Sequence, residues 1–232
     1  MRIFLITAAS AACVLATPAA AATRNFGISS FEKVRVDGPF KVTLTTGVAP
    51  FARATGSPDA LDRVSIDVRG NTIVVHSNLD SWGGYPGRDA APIEVTLGTH
   101  DLSAATLNGS GTLAIDRVKG LRFDLLVQGS GAGEIGQADV DQLNLSIVGT
   151  ASARLGGHAG KVTAIIRGIS TLDASGLAAK DATIGTDGGG TIDANISNSV
   201  TLDASGPATV RFGGAPACTL RVSGSASVSG CR

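Results

Sequence analysis

Glycine returns at nearly constant intervals through the second half of this 232-residue chain, and this repeat constrains the fold more than any other feature. Successive glycines of the series recur roughly every 20 residues, and a fixed period of this length is typical of solenoids and other repeat architectures. In such architectures each repeat is one structural unit. The series consists of Gly109, Gly129, Gly149, Gly168, Gly188, Gly206 and Gly224.

Apolar residues return in step with these glycines. Most positions four and two residues before each glycine, and four residues after it, are apolar, and they alternate with polar residues. A period of two is typical of strands that bury one face. A single coil of about 20 residues cannot bury its apolar face alone, so the repeat predicts coils that stack on one shared core. The predicted fold class is therefore all-β, a single-stranded β-helix or β-solenoid.

The composition agrees with thin, regularly stacked layers. Aromatic residues make up only 4% of the chain, while its 31 glycines are about twice the usual share. An antiparallel barrel or sandwich would also show alternation. It would not return glycine and apolar residues in step seven times, so the solenoid is the preferred interpretation.

The front half has a different pattern, in which longer strands are predicted. Turns are predicted at Asp37-Gly38-Pro39 and at the hairpin-type pair Gly70-Asn71. We expect this segment to begin the stack and to cover one end of it, because an uncovered end would pair with other chains. The predicted strands are residues 31–36, 40–44, 64–75 and 93–97.

The amino-terminal segment, 1–22, is predicted to be a secretory signal peptide. Arg2 supplies the positive charge, an apolar run follows, and Ala20 and Ala22 fit a cleavage site before Thr23. The run is shorter than the roughly 20 residues that a membrane span needs, so no transmembrane segment is expected in the mature chain. A lipoprotein site at Cys13 is the disfavoured alternative. The predicted location is periplasmic or extracellular, including the cell surface.

Two cysteines remain after the signal peptide, and both lie near the carboxyl end. Cys218 and Cys231 are close to each other in sequence, and in an oxidising compartment such an isolated pair is predicted to form a disulfide. A metal site would need further ligands close in sequence. The predicted organisation is a signal peptide (1–22), a short lead (23–30) and one solenoid domain (31–232).

The front motif and the coils together resemble a known family. The motifs are FEKVRVDGPFKVTL from Phe31, VSIDVRGNTIVV from Val64 and IEVTL from Ile93, followed by the Gly-Ser-Gly coils. This order is similar to the head GIN domain family, whose members are described as auto-transporter adhesins. The resemblance covers about residues 31–212 and leaves 213–232 as a Cys-stapled end. It implies an exported, right-handed β-helical domain. The corners at Gly168-Ile169-Ser170 and Gly206-Pro207-Ala208 depart from the pattern, so less regular coils are expected there.

Motifs for catalysis, metals or cofactors are not found in the sequence. His76, His100 and His158 are far apart and form no zinc pattern. The serines form no nucleophile elbow, and the glycine triplet at 188–190 lacks the residues of a phosphate loop. The 19 basic and 19 acidic residues balance, which argues against nucleic acid as a partner. The prediction is no catalytic, metal-binding or cofactor-binding residue, and no cofactor.

Two acidic residues form a candidate pair. Asp173 and Asp193 are separated by one period of the repeat, so they should stack on neighbouring coils. Facing carboxylates could bind calcium or act as an acid and base pair on a polysaccharide. The preferred interpretation is that each aspartate caps its own turn through backbone groups.

A polar, Gly/Pro-rich stretch at residues 77–92 supplies the candidate ligand contacts. It holds Trp82 and Tyr85, the only Trp and Tyr of the chain, with Arg88 close by. Exposed aromatic rings suit stacking on sugars or anchoring a protein partner. The preferred alternative is that both rings fold back as a lid on the solenoid end.

These features predict an exported, non-catalytic envelope protein with a binding or adhesion-like role. Its partner is expected to be an envelope protein or a glycan, since solenoids present long, regular faces. One alternative is a polysaccharide-cleaving β-helix enzyme, which rests on fold analogy alone. The other is a structural or regulatory envelope component.

Overall fold

The computed structural model of the chain describes residues 21–78 and 93–232. Short strands and one short helix make up the N-terminal part: β1 (Ala22–Phe26), β2 (Lys33–Asp37), β3 (Lys41–Thr46), β4 (Phe51–Gly56), α1 (Pro58–Leu61), β5 (Val64–Arg69), β6 (Thr72–Ser77), β7 (Glu94–Thr99) and β8 (Ala104–Gly109). The rest is β9 (Thr112–Gly129), β10 (Ala132–Gly149), β11 (Ser152–Gly168), β12 (Ser170–Asp187), β13 (Gly190–Ser205), β14 (Ala208–Gly213), β15 (Ala217–Ser223) and β16 (Ser227–Ser229). No helix among the described residues is long and apolar enough to cross a membrane.

The strands β9 to β13 are coils of a β-solenoid of about six turns, which confirms the predicted fold class. Each coil pairs in parallel with the next along nearly its whole length. The first segment of β9 pairs with β3, whereas its last segment pairs with β8. Two segments of one coil therefore belong to different ladders, and the coil closes around the core between them.

The core is built from the apolar positions that repeat with the glycines. The residues four and two positions before each glycine are buried at every corner from Gly109 to Gly206 and become exposed only before Gly224, at Leu220 and Val222. Because successive coils are in register, these side chains stack in columns, and a column of Leu107, Val127 and Ile147 is fully buried. The predicted positions of the core are therefore confirmed.

The repeating glycines occupy corners that other residues cannot. Gly149 has a φ of 111°, a conformation that L side chains rarely adopt. A Cβ added there would collide with the carbonyl oxygen of Gly129 on the preceding coil. The glycine repeat thus follows from two requirements, a left-handed corner and close stacking of that corner on the one below. All seven glycines of the series have positive φ.

The unusual corners keep the corner geometry, while the coils around them are less regular, as expected. Gly168 and Gly206 have φ values of 99° and 95°, as at the other corners, but the β12–β13 register shifts twice and the coil after Gly206 is divided into β14 and β15. The register shifts lie away from the corners, between Ile135 and Ala138 and at the corresponding bends of later coils. Backbone geometry at the corner depends on the glycine itself, and the two residues after it vary without moving the ladder.

The N-terminal part supplies the first coils and the end of the stack. β2 and β3 pair in parallel with coil strands on one side and with β6 and β7 on the other. Beyond β6 and β7 the pairing becomes antiparallel. β4 pairs with β7, and β1 pairs with β4. β5 forms an antiparallel hairpin with β6 across Gly70, whose φ is 63°. The predicted hairpin is confirmed. The expected longer strands are not found, because the front strands have five or six residues while each coil runs on through its bends.

One helical turn closes the core at this end. The hydroxyl of Ser57 accepts a hydrogen bond from the backbone N–H of Ala60 at 3.3 Å, which caps the helix, and Pro58 begins it. Leu61 at its end belongs to the buried core. β1 overlaps the predicted short lead, while β4 and the helix lie between the predicted strands 40–44 and 64–75, where no element was predicted.

The carboxyl end carries the predicted disulfide. Cys218 and Cys231 are bonded, and the backbone N–H of Arg232 donates to the carbonyl oxygen of Pro216 at 3.1 Å. Cys218 continues a core column above Val200, so the disulfide ties the tail across the last coil. Leu220 remains 42% exposed there, because β15 pairs with β13 on one side and with no described strand on the other.

Candidate functional site

One sheet of the solenoid presents two straight columns of mostly polar side chains across eleven strands, in the order β1, β4, β7, β3, β9 to β14 and β16. We call this surface the first face. Every outward side chain on it is exposed or half-buried. Column A is Thr23, Thr55, Glu94, Lys41, Thr112, Ala132, Ser152, Thr171, Thr191, Thr209 and Ser227. Column B is Asn25, Arg53, Thr96, Thr43, Ala114, Glu134, Arg154, Asp173, Asp193, Arg211 and Ser229.

The register that builds the coils also builds these columns. Residues two apart on a strand point to the same side, and parallel in-register pairing places equivalent residues on top of one another. Column A is therefore the position three residues after each corner glycine, and column B is the position five residues after it, as at Ser152 and Arg154 after Gly149. Column A is rich in hydroxyls, and column B holds most of the charges.

The charges of the first face balance and mostly pair. Four basic residues, Lys41, Arg53, Arg154 and Arg211, stand against the four acidic residues Glu94, Glu134, Asp173 and Asp193. The Nζ of Lys41 lies 2.7 Å from Glu94 Oε1, and the Nε of Arg211 lies 2.6 Å from Asp193 Oδ1. A neutral face of this kind does not favour a highly charged polymer.

A groove of about 470 Å³ runs along the first face where the side chains are shortest. Its floor is formed by Ala114 and Ala132, which lie on adjacent strands in neighbouring columns. The Lys41–Glu94 pair stands at one end and the Arg154–Asp173 pair at the other. The hydroxyl groups along its sides belong to Thr43, Thr112, Ser152 and Thr171.

Glu134 lies in this groove with its carboxylate free. It is exposed, and it makes no hydrogen bond or ion pair with any residue that the structure describes. Its neighbour in column B, Arg154, binds Asp173 instead, with 3.2 Å between Nε and Oδ2. No sequence motif marks Glu134. Comparing the position five residues after each glycine would have found it.

The structure brings Asp173 and Asp193 together, as their spacing predicts. They are paired across β12 and β13, and each binds an arginine. The Oγ of Ser175 donates to Asp173 at 2.6 Å, and this bond, with the Ser175 backbone N–H and Arg154, holds the pKa of Asp173 below its usual value. A general acid needs the opposite shift.

Metal and histidine sites receive no support from the part of the chain that the structure describes. Within it, no group of three or more His, Cys, Asp or Glu side chains could hold a metal ion. His76 Nε2 lies 3.0 Å from Asp67 Oδ2, and this hydrogen bond lowers the pKa of Asp67. His158 lines a second groove of about 690 Å³ on another face, together with Asp139 and Lys180. Trp82, Tyr85 and Arg88 lie outside the described residues.

A family model described as "putative auto-transporter adhesin, head GIN domain" matches residues 30–216. The chain belongs to this family. The match begins one residue before the resemblance expected from the sequence and extends four residues beyond it, so that expectation is confirmed. No curated protein matches the chain.

Solved structures show the same fold at low sequence identity. A putative adhesin from Bacteroides fragilis has a TM-score of 0.80 at 18% identity, covering 90% of this chain and 96% of its own. A putative adhesin from Parabacteroides merdae has a TM-score of 0.65 at 18% identity, covering 90% and 95%. A putative lipid binding protein from Parabacteroides distasonis has a TM-score of 0.65 at 16% identity, covering 90% and 95%. This head GIN domain therefore shares its architecture with them.

Proposed function

We propose that this head GIN domain protein is an exported, non-catalytic binding protein of the cell envelope, which holds an extended ligand on its first face. The observation that carries the proposal is the continuous, neutral, hydroxyl-rich surface across eleven strands. Such a surface can repeat one weak contact many times along an extended ligand. The predicted signal peptide supports export.

A binding role fits the state of the charged groups better than catalysis does. Asp173 and Asp193, the candidate acid and base, both bind arginines, and the pKa of Asp173 is lowered rather than raised. A cleaving enzyme needs one carboxyl whose pKa is raised so that it can donate a proton. The adhesin description of the family also supports a binding role.

The related solved structures are described by two kinds of role, adhesion and lipid binding. For this chain the first has more support, because the groove on the first face is shallow and open, and hydroxyl-bearing and charged side chains line it together with small apolar residues. A lipid tail would need a deeper, apolar cavity, whereas the solenoid interior is filled by stacked side chains.

Size-exclusion chromatography of the exported form with envelope polysaccharides tests the proposal. Co-elution with an intact polymer is the expected result. Shortening of the polymer would contradict the non-catalytic role. A parallel pull-down from an envelope extract covers protein ligands, and failure of both binding assays would contradict the proposed function.

A further inference from the structure

We infer that the groove on the first face binds an uncharged, hydroxyl-rich polysaccharide chain that lies along the solenoid axis over Ala114 and Ala132 and donates hydrogen bonds to Glu134. The inference rests on the proposed function and names its ligand class and its site. It is carried by the shape of the groove, by the free carboxylate and by the position of the groove within the sheet.

The floor and walls of the groove match the two surfaces of a sugar ring. Sugar rings have a face of C–H groups and an edge of hydroxyls. The methyl groups of Ala114 and Ala132 offer apolar contact, while Thr43, Thr112 and Ser152 offer hydroxyls that both donate and accept. Larger side chains elsewhere in column B, such as Arg53 and Arg211, would block the same approach.

Glu134 supplies the polar anchor. An ionised carboxylate only accepts hydrogen bonds, and charge-assisted bonds are stronger than neutral ones. Because Glu134 has no partner among the described residues, its oxygens are available to ligand hydroxyls. The other charges at the groove, at Lys41 and Asp173, are occupied by ion pairs.

Charge selects an uncharged polymer over charged ones. A polyanion would meet the free carboxylate of Glu134 in the groove. A polycation would find a free carboxylate only at Glu134, because Glu94 and Asp173 are held in ion pairs. Repulsion at Glu134 disfavours the polyanion, and the other charges of a polycation would lie in the groove without a partner.

The position of the groove excludes a peptide bound by strand addition. The groove crosses β3, β9, β10, β11 and β12, and each of these strands is already paired on both sides. Strand addition needs a free sheet edge, so the ligand must contact side chains rather than backbone. Five strands spaced about 4.8 Å apart give a track of about 20 Å, enough for several sugar rings.

Two groove variants and one control test the inference. Ala114→Arg fills the floor and faces Glu134 directly in the register, so the new guanidinium can pair with that carboxylate. Glu134→Gln removes the charge and keeps the size. Ala178→Arg makes the same substitution as the first variant on the second groove, which lies on another face. Circular dichroism and thermal melting establish that all three fold.

The probes are a soluble β-glucan, a galactomannan, alginate and chitosan, with affinity measured by native gel electrophoresis in each polymer. Wild-type protein and Ala178→Arg should bind an uncharged polymer equally well. Ala114→Arg and Glu134→Gln should weaken binding at least tenfold. Alginate and chitosan should bind more weakly than the uncharged polymers.

Each other outcome overturns part of the argument. If polymer binds but both groove variants bind as wild type does, the proposed function stands and the groove assignment is wrong. Preference for alginate or chitosan would refute the uncharged class. If no polymer binds and an envelope protein is captured, the glycan inference fails while the binding role survives. If nothing binds at all, both fail.

Discussion

Asp173 lies directly opposite Asp193 in the parallel ladder of β12 and β13, and each carboxylate binds an arginine on the strand beyond it. Arg154, Asp173, Asp193 and Arg211 therefore form one row of charges across four strands, with the two positive groups outside. Like charges directly opposite each other destabilise a sheet, and the flanking arginines offset this effect.

Removal of Arg154 should expose the repulsion between the two aspartates. Arg154→Ala is expected to lower the free energy of unfolding by about 0.5–1 kcal/mol, as for other exposed ion pairs. In an Asp173→Asn background the same change should have almost no effect, because the charge it neutralised is gone. Urea denaturation of the four proteins measures the coupling, and equal effects in both backgrounds would mean that the pair contributes nothing.

Calcium should leave the melting temperature unchanged. Calcium takes six to eight oxygen ligands, and the two carboxylates that face each other here are already bound by arginines. Differential scanning calorimetry with calcium and with a chelator checks this, and magnesium serves as the control ion. A rise in melting temperature with calcium, abolished by Asp193→Asn, would restore the metal site that the spacing of these residues first suggested.

The corner glycines should tolerate no side chain. Gly149→Ala places a Cβ against the Gly129 carbonyl oxygen in a conformation with φ of 111°, and we expect a loss of about 2 kcal/mol or more in the free energy of unfolding. Gly185→Ala is the matched control, since a Cβ there has nothing within 4 Å and φ is not positive. The control should be neutral or slightly stabilising. Equal melting temperatures for the two variants would contradict the stacked-corner explanation.

The coils could be predicted from the sequence because the same physical requirement is repeated in every turn. Gly129 and Gly149 occupy equivalent corners of successive coils, and Val127 and Ile147 occupy equivalent positions of one core column. The repeat is therefore visible in the sequence without coordinates. The end strands could not be predicted in this way. β1 and β4 are single occurrences whose antiparallel pairing depends on which strand edge remains free.

The site was predictable only in part for a related reason. The spacing of Asp173 and Asp193 fixes their neighbourhood, since in-register coils bring together residues that are one period apart. The spacing does not reveal that Arg154 forms an ion pair with Asp173 and Arg211 with Asp193, because these contacts depend on the length and rotamer of each arginine side chain. The groove depends on Ala114 and Ala132, whose importance lies in what they leave empty. Small side chains carry no signal of their own in a sequence.

Acid should lower the stability of the ladder that β9 forms with β8 and β10 around Asp124. Partial burial raises the pKa of this carboxyl, but hydrogen bonds from Arg122 and from Asn144 at 2.7 Å outweigh burial and leave the pKa below its ordinary value of 3.8. A lowered pKa means that the ionised group stabilises the fold above its ordinary pKa, and that this contribution is lost as the pH falls through the folded-state pKa.

The comparison of wild type with Asp124→Asn isolates this contribution. The difference in melting temperature should be constant above about pH 5 and should shrink towards zero as the pH falls to about 2. The control is Asp139→Asn, which replaces an exposed carboxylate 3.8 Å from Lys119. A difference for Asp124→Asn that persists at the lowest pH would mean that the variant acts through packing or geometry rather than through charge.

The disulfide should stabilise the end of the solenoid more than its middle. Reduction of Cys218–Cys231, or replacement of both residues by serine, frees a tail that is held across the last coil. Closing a loop of this length contributes about 3 kcal/mol in the chain-entropy model. Because each coil contacts only its neighbours, the loss should appear first in β15 and β16 and reach β10 last.

Thiol titration and hydrogen exchange together test this prediction. The exported form should show no free thiol when unfolded without reductant, and two after reduction. Amide exchange in the reduced protein should accelerate in residues 208–232 while the first coils keep their protection. Uniform acceleration along the chain would show that the disulfide stabilises the whole domain cooperatively, and unchanged exchange at the carboxyl end would show that the last coil is held by its ladder with β13 and β14 alone.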